Sequence, residues 1–306
     1  MSLESRLKKL LETYNPQARE KVQRAFKQWN LIARDYLRTE TGLRLTVGED
    51  AQAVPVRIQD GMPLSLAQIL EDFEEYLELL LILPQFEAGA AGTAQFERHY
   101  ARITSLGLHG NAAATREEVA RAREFADNVV ARLKEVELLK KLTEINEDVL
   151  GAYFFHEKRI DLYWMPIALF ASLLGVRVEA LTVVVTAHEL AHAYSHLGRD
   201  IDGLRWDTAK FEKAEAGIVE GLAQFYTSIV CQKLELRYPA ALEAYEKLLE
   251  RQGGAYVVHK GWAAQHPSRG EVVRISMIKC RTRGQVKYKD FLETVGSEAG
   301  AIKAAS

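Results

Sequence analysis

The sequence predicts a mainly helical α+β protein with a small sheet. Apolar residues recur at helical spacing in many segments, which are separated by Pro, Gly and polar turns. Strict alternation of apolar and polar residues is confined to two short regions, residues 42–60 and 151–164. A chain of 306 residues with 48% hydrophobic residues is long enough to bury a core of its own.

Composition argues against several classes of protein. The net charge of −2 provides no basic excess for binding nucleic acid or a membrane surface. Cys231 and Cys280 are the only cysteines, so neither a disulfide framework nor a cysteine-rich metal site is expected. The N-terminus lacks the apolar core of a signal peptide, and the longest uncharged run, Leu162–Val176, is short for a membrane span. We therefore expect a cytoplasmic protein without nucleic-acid or membrane partners, and composition leaves its oligomeric state open.

Residues 1–145 are predicted to form a helical region, to which the sequence assigns no role. Apolar stripes and capping signals place helices over Ser2–Thr13, Gln17–Arg38, Leu66–Leu83, Phe96–Leu108 and Thr115–Leu150. Between the second and third helices, apolar residues alternate with polar ones over Gly42–Asp60. This pattern predicts two short strands or a β-ribbon.

The second half begins with the clearest strand signal in the chain. Over Gly151–Trp164, an aromatic run leads into a polar turn, and apolar residues then alternate with polar ones, which predicts a hairpin. A short helix is expected from Pro166. Further helices are predicted over Val178–Gly198, Phe211–Arg237, Ala240–Arg251, Glu271–Cys280 and Tyr288–Val295. Residues 296–306 are expected to form a flexible tail.

The helix predicted over Val178–Gly198 carries the pattern H-E-x-x-H at residues 188–192. His188 and His192 are four residues apart and therefore share one helix face, where two neutral imidazoles can bind one zinc ion. Glu189 can reach a metal-bound water as a general base. The alternative is an amphipathic helix with two solvated or hydrogen-bonded histidines, and the apolar neighbours argue against solvation. Because Val183–Val185 is a poor helix former, tertiary burial must stabilise this segment.

A catalytic zinc usually binds three protein ligands and a water molecule, so a third ligand has to lie elsewhere. The position ten residues after His188 is Gly198, which rules out a third histidine at that spacing. The acidic candidates that follow are Asp200, Asp202, Asp207, Glu215 and Glu220. Glu220 lies among Ile218, Val219, Leu222 and Ala223, so a solvated role is disfavoured for it.

The H-E-x-x-H motif, followed by a helix bearing Glu220-Gly221-Leu222-Ala223 (E-G-x-A), resembles the gluzincin zinc metallopeptidases. The resemblance covers roughly residues 151–237. It implies a zincin-like catalytic domain over 146–295, with Zn²⁺ held by His188, His192 and Glu220 and with Glu189 as the base. Related metallopeptidases pair an extended peptide substrate with an edge strand, and the predicted hairpin is similar to that feature. A peptide or protein substrate is therefore implied.

The same family often supplies a tyrosine or histidine that stabilises the tetrahedral oxyanion. Tyr256 and His259 are the corresponding candidates, since the predicted helical turn over 255–264 places them on one face. An ordinary packing role for both residues stays open, because the position three residues before Gly261 is Val258 and not tyrosine. The glycine-rich motif that recognises a free N-terminus is missing upstream, so aminopeptidase specificity is not implied.

Three further residues are predicted to have supporting roles. Gly221 removes a side chain where two helices must approach each other closely. Gln224 lies one turn beyond Glu220 and could orient a histidine ligand. His196, two turns past His188, is expected to support the site or pack in the core rather than bind metal.

The sequence thus predicts zinc-dependent hydrolysis of a peptide bond, with Glu189 activating water. An alternative is a gluzincin-like scaffold that binds or regulates and retains a structural metal without peptidase activity. A third possibility is an all-helical interaction protein in which the motif arises by chance. Zinc content separates this third possibility from the other two.

Overall fold

The structure, a computed structural model, describes residues 2–45, 54–78, 81, 116–135, 141 and 149–305. Over these residues the protein is mainly helical, with one small three-stranded sheet. The predicted α+β, mainly helical class is therefore confirmed. No helix within the described residues is long and apolar enough to cross a membrane.

Among the described residues that precede the predicted hairpin, the main elements are α1 (Leu3–Tyr14), α2 (Ala18–Thr41), β1 (Val56–Gln59), α3 (Leu64–Asp72) and α4 (Arg116–Glu135). The helices predicted from Ser2 and Gln17 are confirmed as α1 and α2. A hydrogen bond from the Ser5 backbone N–H to the Ser2 hydroxyl caps α1.

Several predictions for this half need correction. The predicted β-ribbon is reduced, among described residues, to β1 and an isolated bridge between Arg44 and Arg199. The helix predicted over Leu66–Leu83 is interrupted: α3 ends at Asp72, a 3₁₀ turn follows at Glu74–Tyr76, and Leu77, Glu78 and Leu81 are helical again. The helix predicted from Thr115 does not extend to Leu150, which lies in a bend before the hairpin. The helix predicted over 96–108 lies outside the described residues.

The predicted hairpin over 151–164 is confirmed by strands β2 (Gly151–Phe154) and β3 (Arg159–Tyr163). The two strands pair antiparallel, and β1 pairs parallel with the other side of β3, which makes β3 the central strand. The Tyr163 N–H donates to the Leu150 carbonyl, and Ala152 is paired with Asp161. Because backbone groups alternate in direction along an antiparallel strand, Gly151 and Tyr153 direct theirs away from β3. Within the described residues, β2 is therefore an edge strand.

Seven helices follow the hairpin. They are α5 (Trp164–Leu173), α6 (Val178–Leu197), α7 (Thr208–Lys213), α8 (Ala216–Leu234), α9 (Pro239–Leu249), α10 (Arg269–Arg283) and α11 (Tyr288–Ala305). Two 3₁₀ turns, Gly254–Tyr256 and Val258–Gly261, lie between α9 and α10. The predicted helix over 255–264 is thus replaced by 3₁₀ turns.

Helix α6 lies at the centre of the fold. It packs along α2 on one side and against α8 on another, while β2 contacts its middle. All of its residues from Ala180 to His196 are buried, and Val183, Val184 and Val185 belong to the core. Burial of this β-branched run explains how a segment of weak helix propensity is held as a long helix. Apolar side chains from α1 and α2 join those of α6 and α8 in one buried cluster.

Gly198 ends α6 without a left-handed backbone. Its φ is −56° and its ψ is 131°, which any residue can adopt. A Cβ atom at this position would lie 2.4 Å from the Tyr194 carbonyl oxygen and 2.8 Å from Leu43 Cβ. The glycine therefore allows close backbone approach and does not supply an unusual φ.

Two predictions for the C-terminal half were wrong. The single helix expected over Phe211–Arg237 is divided into α7 and α8, with extended backbone at Ala214 and Glu215. The flexible tail expected from residue 296 instead belongs to α11, which continues to Ala305. Glu298, within that segment, is buried and its Oε1 lies 2.5 Å from Lys279 Nζ on α10.

Candidate metal centre

The two histidines of the H-E-x-x-H motif lie on the same face of α6, as their spacing predicts. Their Nε2 atoms are 3.1 Å apart, and the two ring planes are inclined by 89°. Both side chains are buried, with exposed fractions of 7% for His188 and 3% for His192. The alternative explanation of the motif was two solvated or hydrogen-bonded histidines; burial contradicts the solvated form, whereas the 3.1 Å separation is compatible with the hydrogen-bonded form.

Glu220 approaches the same point from α8. Its Oε2 atom lies 3.3 Å from His188 Nε2 and 3.4 Å from His192 Nε2. Among the described residues, these three form the one group of three His, Cys, Asp or Glu side chains arranged to hold a metal ion. The protein therefore has a His–His–Glu group that could bind a metal ion.

The spacing of the three atoms fits a tetrahedral metal. Donor atoms about 2.0–2.1 Å from one zinc ion at tetrahedral angles lie about 3.3–3.4 Å from one another. The observed separations of 3.1, 3.3 and 3.4 Å are close to that triangle. Two imidazole nitrogens and one carboxylate oxygen are also a donor set that catalytic zinc sites use.

The environment of Glu220 favours its charged form. Burial alone raises the pKa of this carboxyl group, but the adjacent imidazoles of His192 and His188 outweigh that effect and hold the pKa well below its usual range. A carboxylate that stays ionised next to two imidazoles is the form that binds a cation.

The four other acidic candidates are absent from the group. Glu215 directly precedes α8, and its carboxylate accepts hydrogen bonds from Lys287 Nζ at 2.9 Å and from the Tyr288 N–H at 2.8 Å. Asp207 accepts from the Lys210 N–H and caps α7. Asp200 accepts from two backbone N–H groups in the loop after α6.

Glu189 follows the first histidine and is only 1% exposed. Strand β2 lies directly against it at Gly151, where a Cβ atom would be 3.0 Å from both Cγ and Oε1 of Glu189. Any larger residue at position 151 would push the strand away from α6. Sequence reasoning missed this role of Gly151, although a glycine at the start of a strand can mark close approach of another element.

Tyr256 lies next to the histidine pair. It is buried in the first 3₁₀ turn after α9, and its ring is stacked on that of His188 with centroids 6.2 Å apart and planes inclined by 28°. The prediction that Tyr256 stabilises an oxyanion is untested by this arrangement. The contact does bring the residue to the metal-binding group, as the prediction requires.

His259 uses both of its ring nitrogens within the protein. Nδ1 lies 3.0 Å from the Tyr256 carbonyl oxygen, and Nε2 lies 3.2 Å from the Tyr245 hydroxyl. Because a carbonyl only accepts, the proton belongs on Nδ1, and Nε2 then accepts from Tyr245. Burial lowers the pKa of His259 to about 4, against a smaller opposing effect of the Tyr256 carbonyl, which keeps the ring neutral. His259 thus holds the turn that carries Tyr256, and its predicted catalytic role stays a prediction.

The supporting role predicted for Gly221 is observed in part, whereas the role predicted for Gln224 is not observed. A Cβ atom on Gly221 would lie 2.5 Å from the Trp262 ring and 2.9 Å from Val258 Cγ2, so the glycine does permit close approach, but of the 3₁₀ turn after Val257. Gln224 donates from Nε2 to Gln252 Oε1 at 3.0 Å. The hydrogen bond observed for the Gln224 amide group is therefore to Gln252 and not to a histidine ligand.

Comparisons with known proteins add no relative. No protein-family model, curated protein or solved structure matches the chain.

Proposed function

We propose that the protein is a zinc-dependent peptidase whose metal ligands are His188, His192 and Glu220. The observation that carries this proposal is the convergence of three donor atoms from two helices, 3.1–3.4 Å apart, beside a buried glutamate. Three protein ligands of this kind leave a fourth position for water or substrate, as in catalytic zinc sites. When bound, zinc supplies Lewis-acid polarisation of a carbonyl oxygen and activation of water at neutral pH.

In this proposal the chain's own contribution to proton transfer comes from Glu189. It follows His188 directly on α6, and the Gly151 contact fixes its side chain from the strand side. Glu189 accepts the proton of the attacking water and returns it to the leaving amine, so the carboxylate ends the cycle in the form in which it began. A fixed side chain keeps this proton acceptor at one distance from the reacting groups.

The edge strand β2 provides a binding surface for an extended peptide. The backbone groups of Gly151 and Tyr153 point away from β3, and β2 lies on α6 beside Glu189. An extended substrate can add to this edge through main-chain hydrogen bonds, which bring its backbone next to the metal ligands. We therefore propose a peptide or protein chain as substrate, with Tyr256 as the candidate donor to the oxyanion.

We also propose a cytoplasmic location. Cys231 and Cys280 are both buried and unpaired, which is usual for proteins of a reducing compartment. The proposal includes neither a nucleic-acid nor a membrane partner.

One observation favours the alternative, a scaffold with a structural metal. The side chains of His192 and Glu189 are 3% and 1% exposed, and closed burial is typical of structural metal sites. On this alternative the metal would stabilise the crossing of α6 and α8, and the protein would act by binding a partner.

The Glu189→Gln variant separates enzyme from scaffold. Glutamine keeps the shape and hydrogen-bonding capacity of glutamate but cannot act as the base. For a peptidase we expect unchanged zinc stoichiometry and melting temperature, with turnover of an unbiased peptide library reduced by roughly 10²–10⁴-fold. Metal content is measured on the same protein samples by elemental analysis.

His188→Ala and Glu220→Ala are the matched controls, because each removes a ligand rather than the base. Both should lose zinc together with activity. Wild-type protein that holds one zinc per chain but cleaves no peptide, or a Glu189→Gln variant that cleaves at the wild-type rate, would overturn the peptidase proposal in favour of the scaffold. Wild-type protein that binds no metal would overturn both.

A further inference from the structure

His196 lies two turns beyond His188 on α6 and is completely buried. Its Nδ1 lies 2.9 Å from the Tyr153 hydroxyl on β2, and its Nε2 lies 3.0 Å from Thr208 Oγ1 at the start of α7. Its ring stacks on Phe211, with centroids 4.5 Å apart and planes inclined by 14°. This histidine therefore joins the helix of the candidate site to the edge strand and to α7.

The ring of His196 is suited to a bridging role. Burial and the nearby cationic side chains lower its pKa to about 4, so it is neutral near pH 7. A neutral imidazole has one N–H donor and one nitrogen acceptor, and a hydroxyl group can complement either. The two hydroxyls of Tyr153 and Thr208 therefore use the whole hydrogen-bonding capacity of the ring.

We propose that His196 is a positioning residue for the proposed peptidase site, fixing the substrate-pairing edge of β2 on α6 through Tyr153. Gly151 and Tyr153 are two apart on a strand, so their side chains share one face, and both contact α6. Gly151 contacts Glu189, and Tyr153 contacts His196, two turns further along the same helix. The Gly151 contact fixes the position of β2 on α6, and the Tyr153 contact fixes the orientation of β2 along the helix.

The different distances that the contacts span on the strand and on the helix explain why a tyrosine is needed at position 153. Residues two apart on a strand are separated by about 7 Å, whereas residues seven apart on a helix are separated by about 10 Å. The long side chain of Tyr153 spans this difference and reaches His196. Tyr153 is also one of the two residues whose backbone groups point to the open edge. Because His196 fixes the Tyr153 side chain, it also fixes the backbone N–H and C=O groups of Tyr153 with which a substrate would pair.

Hydrogen exchange tests the inference without relying on catalysis. In full-length protein, Tyr153→Phe should speed exchange of the β2 amides at Ala152 and Phe154 by at least about tenfold, because the strand opens more often. His196→Phe keeps the stacking on Phe211 but removes both hydrogen bonds, and should have the same effect. The double variant should exchange no faster than the worse single variant, because both substitutions remove one shared contact.

Tyr194→Phe is the matched control. Tyr194 is a buried tyrosine on α6, and its hydroxyl donates to the Arg34 carbonyl oxygen on α2 at 2.9 Å. The substitution removes one buried phenol hydrogen bond from the same helix on the side facing α2. It should leave exchange over 149–156 unchanged. Unaltered exchange of β2 in Tyr153→Phe, or equal acceleration in Tyr194→Phe, would overturn the inference.

A kinetic measurement tests the link to substrate. With the best peptide selected by wild-type protein from an unbiased library, Tyr153→Phe should raise KM about tenfold and change kcat less than about twofold, because it disturbs binding and not chemistry. Zinc stoichiometry should stay the same. A fall in kcat with constant KM would overturn the assignment to substrate positioning. If the wild type cleaves nothing, the proposed function fails, and the exchange measurement alone decides whether His196 positions β2.

Discussion

At the scale of single residues, burial determines the charge of His196 and makes stability depend on pH. Burial, then Arg205, Arg281 and Lys158, lower its pKa from 6.5 to about 4, with a smaller opposing effect of Asp207. Between these two values the unfolded chain binds a proton that the folded protein does not. The contribution of His196 to stability is therefore present above about pH 6.5 and is lost as the pH falls towards 4.

We predict that this loss is measurable as a difference between wild type and His196→Phe. The wild-type advantage in unfolding free energy should shrink by about 1–2 kcal/mol between about pH 7 and about pH 5, because the variant lacks this proton-binding group. Urea unfolding of metal-free protein at the two pH values checks this, since metal release by acid then does not contribute. A constant difference between the two proteins at both pH values would contradict the assigned ionisation.

At the scale of elements, the turn at Val258–Gly261 can lie close to α8 because Gly221 on α8 has no side chain. In Gly221→Ala the new methyl group would lie 2.5 Å from the ring of Trp262, which is itself buried against Phe291. Overpacking of this kind costs about 1–3 kcal/mol, whereas replacing glycine within a helix regains only about 1 kcal/mol. We therefore predict net destabilisation of about 1 kcal/mol, measured by urea unfolding.

Gly296→Ala supplies the comparison for helix propensity alone. Gly296 is exposed on α11, and a Cβ atom there would meet nothing within 4 Å. It should stabilise the protein by up to about 1 kcal/mol, the opposite sign from Gly221→Ala. If both substitutions stabilise, the close packing at Gly221 does not constrain the fold.

Elements were predictable from sequence where local spacing determines them. The four-residue spacing fixed His188 and His192 on one face of α6, and alternation located the β2–β3 hairpin. The break before α8 was not predictable, because the Glu215 carboxylate is held by Lys287 and the Tyr288 N–H, far away in the chain. The extension of α11 likewise depends on packing against α10, which no local pattern contains.

In the candidate site, too, some features were predictable from the sequence and others depend on tertiary packing. The motif supplied the identities of the three candidate ligands, but their convergence depends on how α8 crosses α6. The contact of Gly151 with Glu189 joins residues that are 38 positions apart in the sequence. A single sequence cannot specify which strand residue meets which helix residue, because that register is set by tertiary packing.

At the scale of the whole molecule, folding and metal binding are expected to be separable. The largest buried cluster runs from Leu7 on α1 to Val295 on α11 and takes side chains from most described elements. A core of this extent can hold the fold without a metal. A metal ion would add to stability only because it binds the folded protein. The gain is about 3–4 kcal/mol when the free metal concentration is roughly 100–1,000 times the dissociation constant.

We therefore predict that a chelator lowers the melting temperature by about 5–15 °C and leaves the helical circular dichroism at room temperature unchanged. The expected loss arises because the buried imidazoles of His188 and His192 and the partly buried carboxylate of Glu220 stay 3.1–3.4 Å from one another after the cation that neutralises the carboxylate is removed. Glu220→Ala is the control, since a protein that holds no metal should melt at the same temperature with and without chelator. Complete unfolding of the wild type by chelator would mean that the core cannot stand alone. An unchanged melting temperature would mean that the three residues bind no metal in the folded protein.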